Sequence, residues 1–295
     1  MGEKRKHLIQ CGRTIGPEEV EAIRETVSAC SGLSRTELAD TICEHLDWFT
    51  ASGSPKRDAC LKLLEKLEQQ GLLRLPARRI TAPLGVRQSK VPEPTPRTEP
   101  GACVEGSLAE LGSVRLVTAT GGNDTTMWNE YVSRYHYLGY APPIGCFQRY
   151  FIESERGVLG CLLFSGAAKA LQERDRFIGW TKDERLRNLG YVVNNSRFLV
   201  FPWVRVKNLA SHVLGQAARR IGDDWQNRWE YRPLLLETFV DPELYGGTCY
   251  QAANWHYLGM TIGMGLARRG KSYTTTPKKI FVKPLAEDFR AVLCS

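Results

Sequence analysis

"NNSRFLVFPWVRVKNLASHVLGQAARR", residues 194–220, is the stretch on which the reading of this chain turns. It reads as a strand, "NSRFLVFP", that runs through the short polar turn "RVKNLAS" into a helix, "ASHVLGQAARRI". Such a junction often cradles a phosphate, because the first amide N–H groups of a helix have no partner within it and point at whatever lies ahead. Around it, strands and helices alternate. Strands are expected at "VRLVTA", "QRYFIES", "GVLGCLLFSG", "LLLETFV" and "KKIFVKPL", and helices at "TTMWNEYVSRYHYL", "AAKALQERDRFIGW" and near "TCYQAANWHYL". That interleaving predicts an α/β domain with a mixed sheet over residues 105–295.

Upstream, residues 80–104 hold Pro83, Pro92, Pro94, Pro96 and Pro100 with almost no periodic apolar pattern, which predicts an extended linker. Residues 1–79 carry three helical stretches. The first, "PEEVEAIRETVSAC", begins after Pro17; the second opens at Ser34, where Ser34 and Glu37 have capping-box spacing and Leu38, Ile42 and Leu46 share a face. The third, "PKRDACLKLLEKLEQQG", has Pro55 in its first turn and Gly71 just past its end, and "LLRLPARR" follows as a short strand. Three helices and a strand are the order of a winged helix-turn-helix. Its third helix would offer Lys56, Arg57 and Lys62 to a DNA groove flanked by Arg78 and Arg79; a small protein-binding helical bundle is the alternative.

The chain has 295 residues and a formal charge of +8, which favours a polyanionic partner. Residues 1–104 hold 16 Lys and Arg against 14 Asp and Glu, a net of only +2, so a DNA surface on the head would be local. Nine scattered cysteines form no C-x-x-C pair and no zinc spacing, which fits reduced thiols in a cytoplasmic protein. No signal-peptide core and no membrane-length apolar run is present in the sequence, so no membrane is expected.

The strings "YHYLGY", "RDRFIGW", "NNSRFLVFPWVRVKNLASHVLG", "ETFVD" and "GTCYQAANWHYLG", with "LSRTELADTICEHLDW" and "LLEKLEQQGLLRLP" nearer the N-terminus, resemble the DruA family over essentially the whole chain. The resemblance implies a part in Druantia anti-phage defence or in transposase-associated mobile elements of prokaryotes. More distantly, the succession of strands and helices resembles the GNAT acetyltransferase fold, in which the turn after the fourth strand binds the pyrophosphate of acetyl-coenzyme A. That loop has the form Q/R-x-x-G-x-G/A. Counted from Arg205, Asn208 and Ala210 fall where its glycines would, so the scaffold is expected without acetyl-coenzyme A.

Several side chains are candidates for chemistry. His136 ends an aromatic-rich helix beside Tyr135, Tyr137 and Gly139, and could be a general base, a metal ligand or a structural acceptor for a backbone donor. Asn195 and Arg197, two apart on one strand, are expected on one face, with Arg197 either paired to Glu237 or offering its fork to a phosphate. Glu237 and Asp241 at the end of "LLLETFV" could hold Mg²⁺ or Mn²⁺ for phosphodiester hydrolysis, though Asp241 before Pro242 also suits a turn. Tyr250 falls where the GNAT resemblance implies the acid for a leaving thiolate, and Asn254 is expected one helical turn on, while a core tyrosine explains Tyr250 equally. Arg268, Arg269, Lys271, Lys278 and Lys279 make a basic strip before the last strand, and Arg205 and Lys207 add cations at the turn.

Together these point to a DNA-binding defence protein, with metal-dependent DNA processing by the α/β domain in view. A GNAT-type acyltransferase and a non-catalytic module recruiting a helicase or transposase are the alternatives.

Overall fold

The computed structural model of the chain describes residues 8–30, 33–77, 91–143, 145–263 and 276–295. They divide into two compact units, Met1–Arg87 with Thr181–Leu189, and Gln88–Trp180 with Gly190–Ser295.

The first unit begins with a hairpin of β1 (Leu8–Gln10) and β2 (Arg13–Ile15), turned by Cys11 and Gly12 at positive φ. Three helices follow: α1 (Pro17–Ala29), α2 (Arg35–His45) and α3 (Arg57–Gln69). The expected capping box holds. Ser34 Oγ accepts from the Glu37 amide, and Glu37 Oε2 accepts from the Ser34 amide at 2.7 Å. At the far end of α3, Gly71 takes φ +70 and lets the Leu72 amide reach back to the Leu67 carbonyl, a left-handed closure that suits glycine. Ile23, Val27, Ile42, Leu63, Leu64 and Leu67 fill the core between the helices.

Two features depart from the winged-helix expectation. Residues 73–77 form no strand, because their backbone groups are met by side chains: the Leu75 amide donates to Glu68 and the Pro76 carbonyl accepts from Arg35. The hairpin lies ahead of the helices instead. The link between α2 and α3, residues 46–56, is closed by a bridge between Phe49 and Pro55 and is longer than the turn of about three or four residues in a helix-turn-helix.

In the second unit, residues 91–104 are not free of the body. A 3-10 turn at Pro96–Thr98 is tied down by Glu130, whose Oε2 accepts from the Thr95 hydroxyl at 2.7 Å, and Thr98 is fully buried. The chain continues as β3 (Val104–Gly106), β4 (Arg115–Thr118), α4 (Gly122–Tyr135), β5 (Gln148–Ser154) and β6 (Gly157–Gly166). Then come α5 (Gln172–Ile178), α6 (Lys182–Asn188) of the first unit, β7 (Val192–Val200), β8 (Val204–Val206) and α7 (Leu209–Trp229). The last elements are β9 (Leu235–Val240), α8 (Thr248–Ala252), β10 (His256–Met260), β11 (Lys279–Pro284) and α9 (Phe289–Leu293).

Seven strands form one mixed sheet in the order β10-β11-β9-β7-β6-β5-β4, antiparallel throughout except for β7 and β9. Successive residues of β5 show how both faces are covered. The Tyr150 hydroxyl reaches Asp224 of α7 at 2.7 Å, while Arg149 lies over the Trp128 ring of α4. At Gly160, a Cβ would run into the Leu199 carbonyl of β7, so only glycine lets β6 and β7 approach there. No helix among the described residues is long and apolar enough to cross a membrane.

Candidate functional site

β7 and β9 pair in parallel only from Val192–Asn194 against Leu235–Glu237. Past that point they part, and the Thr238 hydroxyl donating to the Asn195 carbonyl at 3.0 Å is the last tie between them. A cavity of about 310 Å³ opens in the fork, walled by both strands, by His136 and Tyr137 beyond α4, by Ala210 of α7 and by Gly247–Tyr250. Parting strands bare backbone that only a ligand or neighbouring helices can satisfy, which is why such a fork is a binding place in α/β sheets.

A β-bulge shapes one wall. Leu163 faces Arg197 and Phe164 faces Asn195, so Ser196 is the extra residue on β7. Cross-strand partners share a face, and Leu163 and Phe164 point oppositely. Asn195 and Arg197 therefore lie on opposite faces, against the expectation from simple alternation. Asn195 is buried and accepts from the Tyr250 hydroxyl at 2.8 Å. Burial pushes the Tyr250 phenol well up, so it is protonated at neutral pH and acts as a donor. Cys249 beside it is likewise pushed up by burial and is not a ready thiolate.

On the other side, Arg197 spends its fork on the Gly139 and Ser196 carbonyls, at 3.1 and 2.7 Å. His136 caps α4, stacks on Tyr137, and accepts the Leu138 amide at Nδ1. Burial and the nearby Arg197 bring its pKa down to about 4, so the imidazole is neutral and its Nε2 carries the proton. The cavity lining includes no Asp, Glu, Lys or Arg. It is a neutral, partly aromatic slot with hydroxyl and imidazole donors.

Around the first turn of α7 lies a second, open cavity of about 800 Å³, lined by Asn208, Ser211, His212, Arg219, Asn254 and Lys283 among others, and by no acidic residue. Asn208 caps α7 at φ 63 and ψ 3, the left-handed conformation that a glycine would supply. Ala210 is one of the two residues that the GNAT pattern admits at its last position. Asn208 thus supplies the backbone form of the pattern's first glycine, while its exposed side chain lines the cavity.

Glu237 is displaced from the roles expected of it. It is fully buried, with Oε2 in an ion pair to Arg174 at 2.8 Å and Oε1 accepting from the Ala168 amide at 2.7 Å. Its partner is Arg174 and not Arg197, and with both oxygens bonded to protein it is closed to a metal ion. Asp241 caps the following turn through the Glu243 amide and lies 3.6 Å from Lys278. No group of three or more acidic, His or Cys side chains among the described residues is gathered as a metal site would need. Asn254 does not share a helical face with Tyr250, because α8 stops at Ala252 and Asn254 turns out at φ 58.

The expected cations are scattered. Arg57 forms a two-pronged pair with Asp40 at 2.7 Å, Lys56 is half-buried, and Lys62 is exposed. Arg205 faces Glu105 at 3.5 Å, and Lys207 is exposed. Lys278 lies over the Tyr137 ring, and Lys279 donates to the Gly246 carbonyl at 3.0 Å. Arg78, Arg79, Arg268, Arg269 and Lys271 lie outside the described residues. The reading from sequence missed Arg174, Thr238, Arg219 and Lys283. Only the aromatic and amide density around Asn195 and Tyr250 signalled their neighbourhood.

The family model described as Druantia protein DruA matches residues 66–275. The chain belongs to the DruA family. The match takes in the parting strands, the first cavity and the Arg174–Glu237 pair, and all of the second cavity's lining except Lys283, Pro284 and Leu285. No curated protein matches this DruA-family chain in sequence. Among solved structures, it is similar to an aminoglycoside acetyltransferase solved with coenzyme A and kanamycin, at 16% identity over 58% of this chain and 95% of that one, TM-score 0.36. A polyamine N-acetyltransferase of Drosophila melanogaster matches at 13% identity over 58% and 100%, TM-score 0.36. An N-acetyltransferase from Staphylococcus aureus matches at 11% over 59% and 99%, TM-score 0.34. These are distant likenesses and assign no substrate to the DruA-family chain.

Proposed function

We propose that the α/β unit binds an acyl-coenzyme A thioester and transfers its acyl group, and that this activity serves the anti-phage role implied by DruA membership. One observation carries the reading: a neutral slot and an acid-free basic groove flank the first turn of α7. An elongated ligand with an uncharged arm and a polyanionic end fits that pair of surfaces. The arm enters the fork between β7 and β9, where it meets no unpaired charge. The phosphates lie toward Arg219, Lys283 and the free amides that follow Asn208. Tyr250 lines the slot as a protonated phenol, and its hydroxyl, turning from Asn195, would return a proton to the leaving thiolate. Calorimetry with acetyl-coenzyme A tests this. Saturable binding, weakened about tenfold by Arg219→Ala with Lys283→Ala, is expected; no heat at millimolar cofactor overturns it.

A second reading, duplex DNA binding by the helical head as a winged-helix-like module, is favoured by one cluster. Lys56 is surrounded by Arg13 and Arg187, and burial together with these like charges pulls its pKa down. Such a local concentration of positive charge suits phosphates. A helicase or transposase partner would then be drawn to the same DNA. Metal-dependent cleavage is no part of either reading, since Glu237 is closed off.

A further inference from the structure

Apart from both cavities, the start of β5 and the C-terminal end of α7 gather positive charge with no carboxylate partner among the described residues. Arg149 is 6% exposed, with its guanidinium carbon 5.3 Å from the Trp128 ring and 4.6 Å from the Phe147 ring. Its buried Nε has no hydrogen-bond partner. The groups acting on it are the Tyr140 hydroxyl and, unfavourably, Arg228. Arg228 itself is exposed in the last turn of α7, 4.8 Å from the Phe147 ring and 5.1 Å from Trp229, and donates only to the neutral Gln148 Oε1 at 3.3 Å.

No carboxylate among the described residues forms an ion pair with either guanidinium. The acids of α7 close by are committed elsewhere: Asp224 to Arg220 and Tyr150, and Asp223 to Arg232. The dipole at the C-terminal end of α7 offsets part of the charge on Arg228, but it leaves the Arg149 Nε unmet. A buried cation without a carboxylate lowers stability, and an apolar side chain of similar volume would suit folding better. An arginine there in place of an apolar side chain points to a ligand that completes the site.

The rings specify the ligand further. Trp229 is fixed by its indole N–H donating to the Phe147 carbonyl at 3.1 Å, and both rings remain partly exposed. Fixed aromatic faces beside two unpaired guanidiniums suit a base stacked on a ring with its phosphate on a fork. Only a single strand offers free base faces, since a duplex stacks them internally. The formal charge of +8 on the whole chain adds long-range attraction for a polyanion. We propose that Arg149, Arg228, Phe147 and Trp229 form a binding surface for single-stranded nucleic acid. The proposal is independent of acyl-coenzyme A binding.

Fluorescence anisotropy of a labelled oligothymidine and of a duplex of equal length, with the full chain, tests it. The wild type is expected to bind the single strand more tightly than the duplex, and more weakly as salt rises. Arg228→Glu, at an exposed position, should weaken binding about tenfold or more with the unfolding midpoint unchanged. Arg149→Met should weaken binding comparably while leaving the midpoint unchanged or raised, which a purely structural arginine would not do. Absent oligothymidine binding, equal affinity for duplex, or affinity unchanged in Arg228→Glu would each overturn the proposal. A lowered midpoint with unchanged binding in Arg149→Met would do the same.

Discussion

His136 and Tyr250 share one slot and titrate in opposite directions for the same reason, because burial disfavours the charged form of each. For His136 the folded pKa of about 4 lies below the ordinary 6.5. The unfolded chain therefore takes up the proton first, and the stability owed to the neutral ring is present above pH 6.5 and is lost as pH falls toward about 4. After allowance for partial exposure this amounts to on the order of 2 kcal/mol. His136→Asn should flatten that limb of a stability-against-pH curve measured by chemical unfolding, and an unaltered limb would count against a buried neutral ring. Tyr250→Phe should leave acetyl-coenzyme A affinity nearly unchanged and lower acyl transfer about a hundredfold or more. Equal turnover by the variant would reduce Tyr250 to a core residue. Both residues stand out in the sequence, but Asn195 as the partner of Tyr250 does not, since 55 positions separate them.

The strands flanking the fork owe their geometry to groups far apart in the chain. Arg174 of α5 reaches Glu237 of β9 in a fully buried pair, and it also bonds the Ala168 carbonyl, pinning the segment between β6 and α5 to the sheet. Glu237→Gln removes one of the two carboxylates paired with Arg174 and leaves it Asp175 at 2.8 Å, so urea unfolding should show a loss of about 1–3 kcal/mol. A change within about 0.5 kcal/mol would mean that the pair is hydrated in solution. The variant is thus a stability mutant. Alternation rules located β5, β6, β7 and β9 well, because period-two patterning is a local property. The bulge at Ser196 escaped them: one extra residue reverses the faces of Asn195 and Arg197, and only pairing with β6 reveals it.

Among the described residues, part of the positive balance is spent on acidic partners. Arg57, Arg205 and Lys278 have acidic partners, whereas Lys62 and Lys207 are exposed. Duplex binding by the head, if present, rests on Lys56 and Lys62. Lys56→Glu with Lys62→Glu should lower duplex affinity about tenfold or more at moderate salt and leave oligothymidine binding near Arg228 intact. Duplex affinity equal to the wild type would remove the head from DNA recognition. Arg57→Ala, by contrast, should leave the unfolding midpoint nearly unchanged, as expected for an exposed pair with Asp40.

Sequence alone determined the three helices of the head, the main strands of the α/β unit, the capping box at Ser34, the glycine closure at Gly71, the mixed α/β class and membership of the DruA family. All of these are encoded in short windows or long recognisable strings. Tertiary structure alone decided that Glu237 belongs to Arg174, that the expected metal pair does not form, and that Asn208 takes a glycine's conformation. It also brought Arg149 and Arg228 together without an acid. Those outcomes depend on which distant segments meet and on how much water their meeting excludes, and neither is written in local spacing.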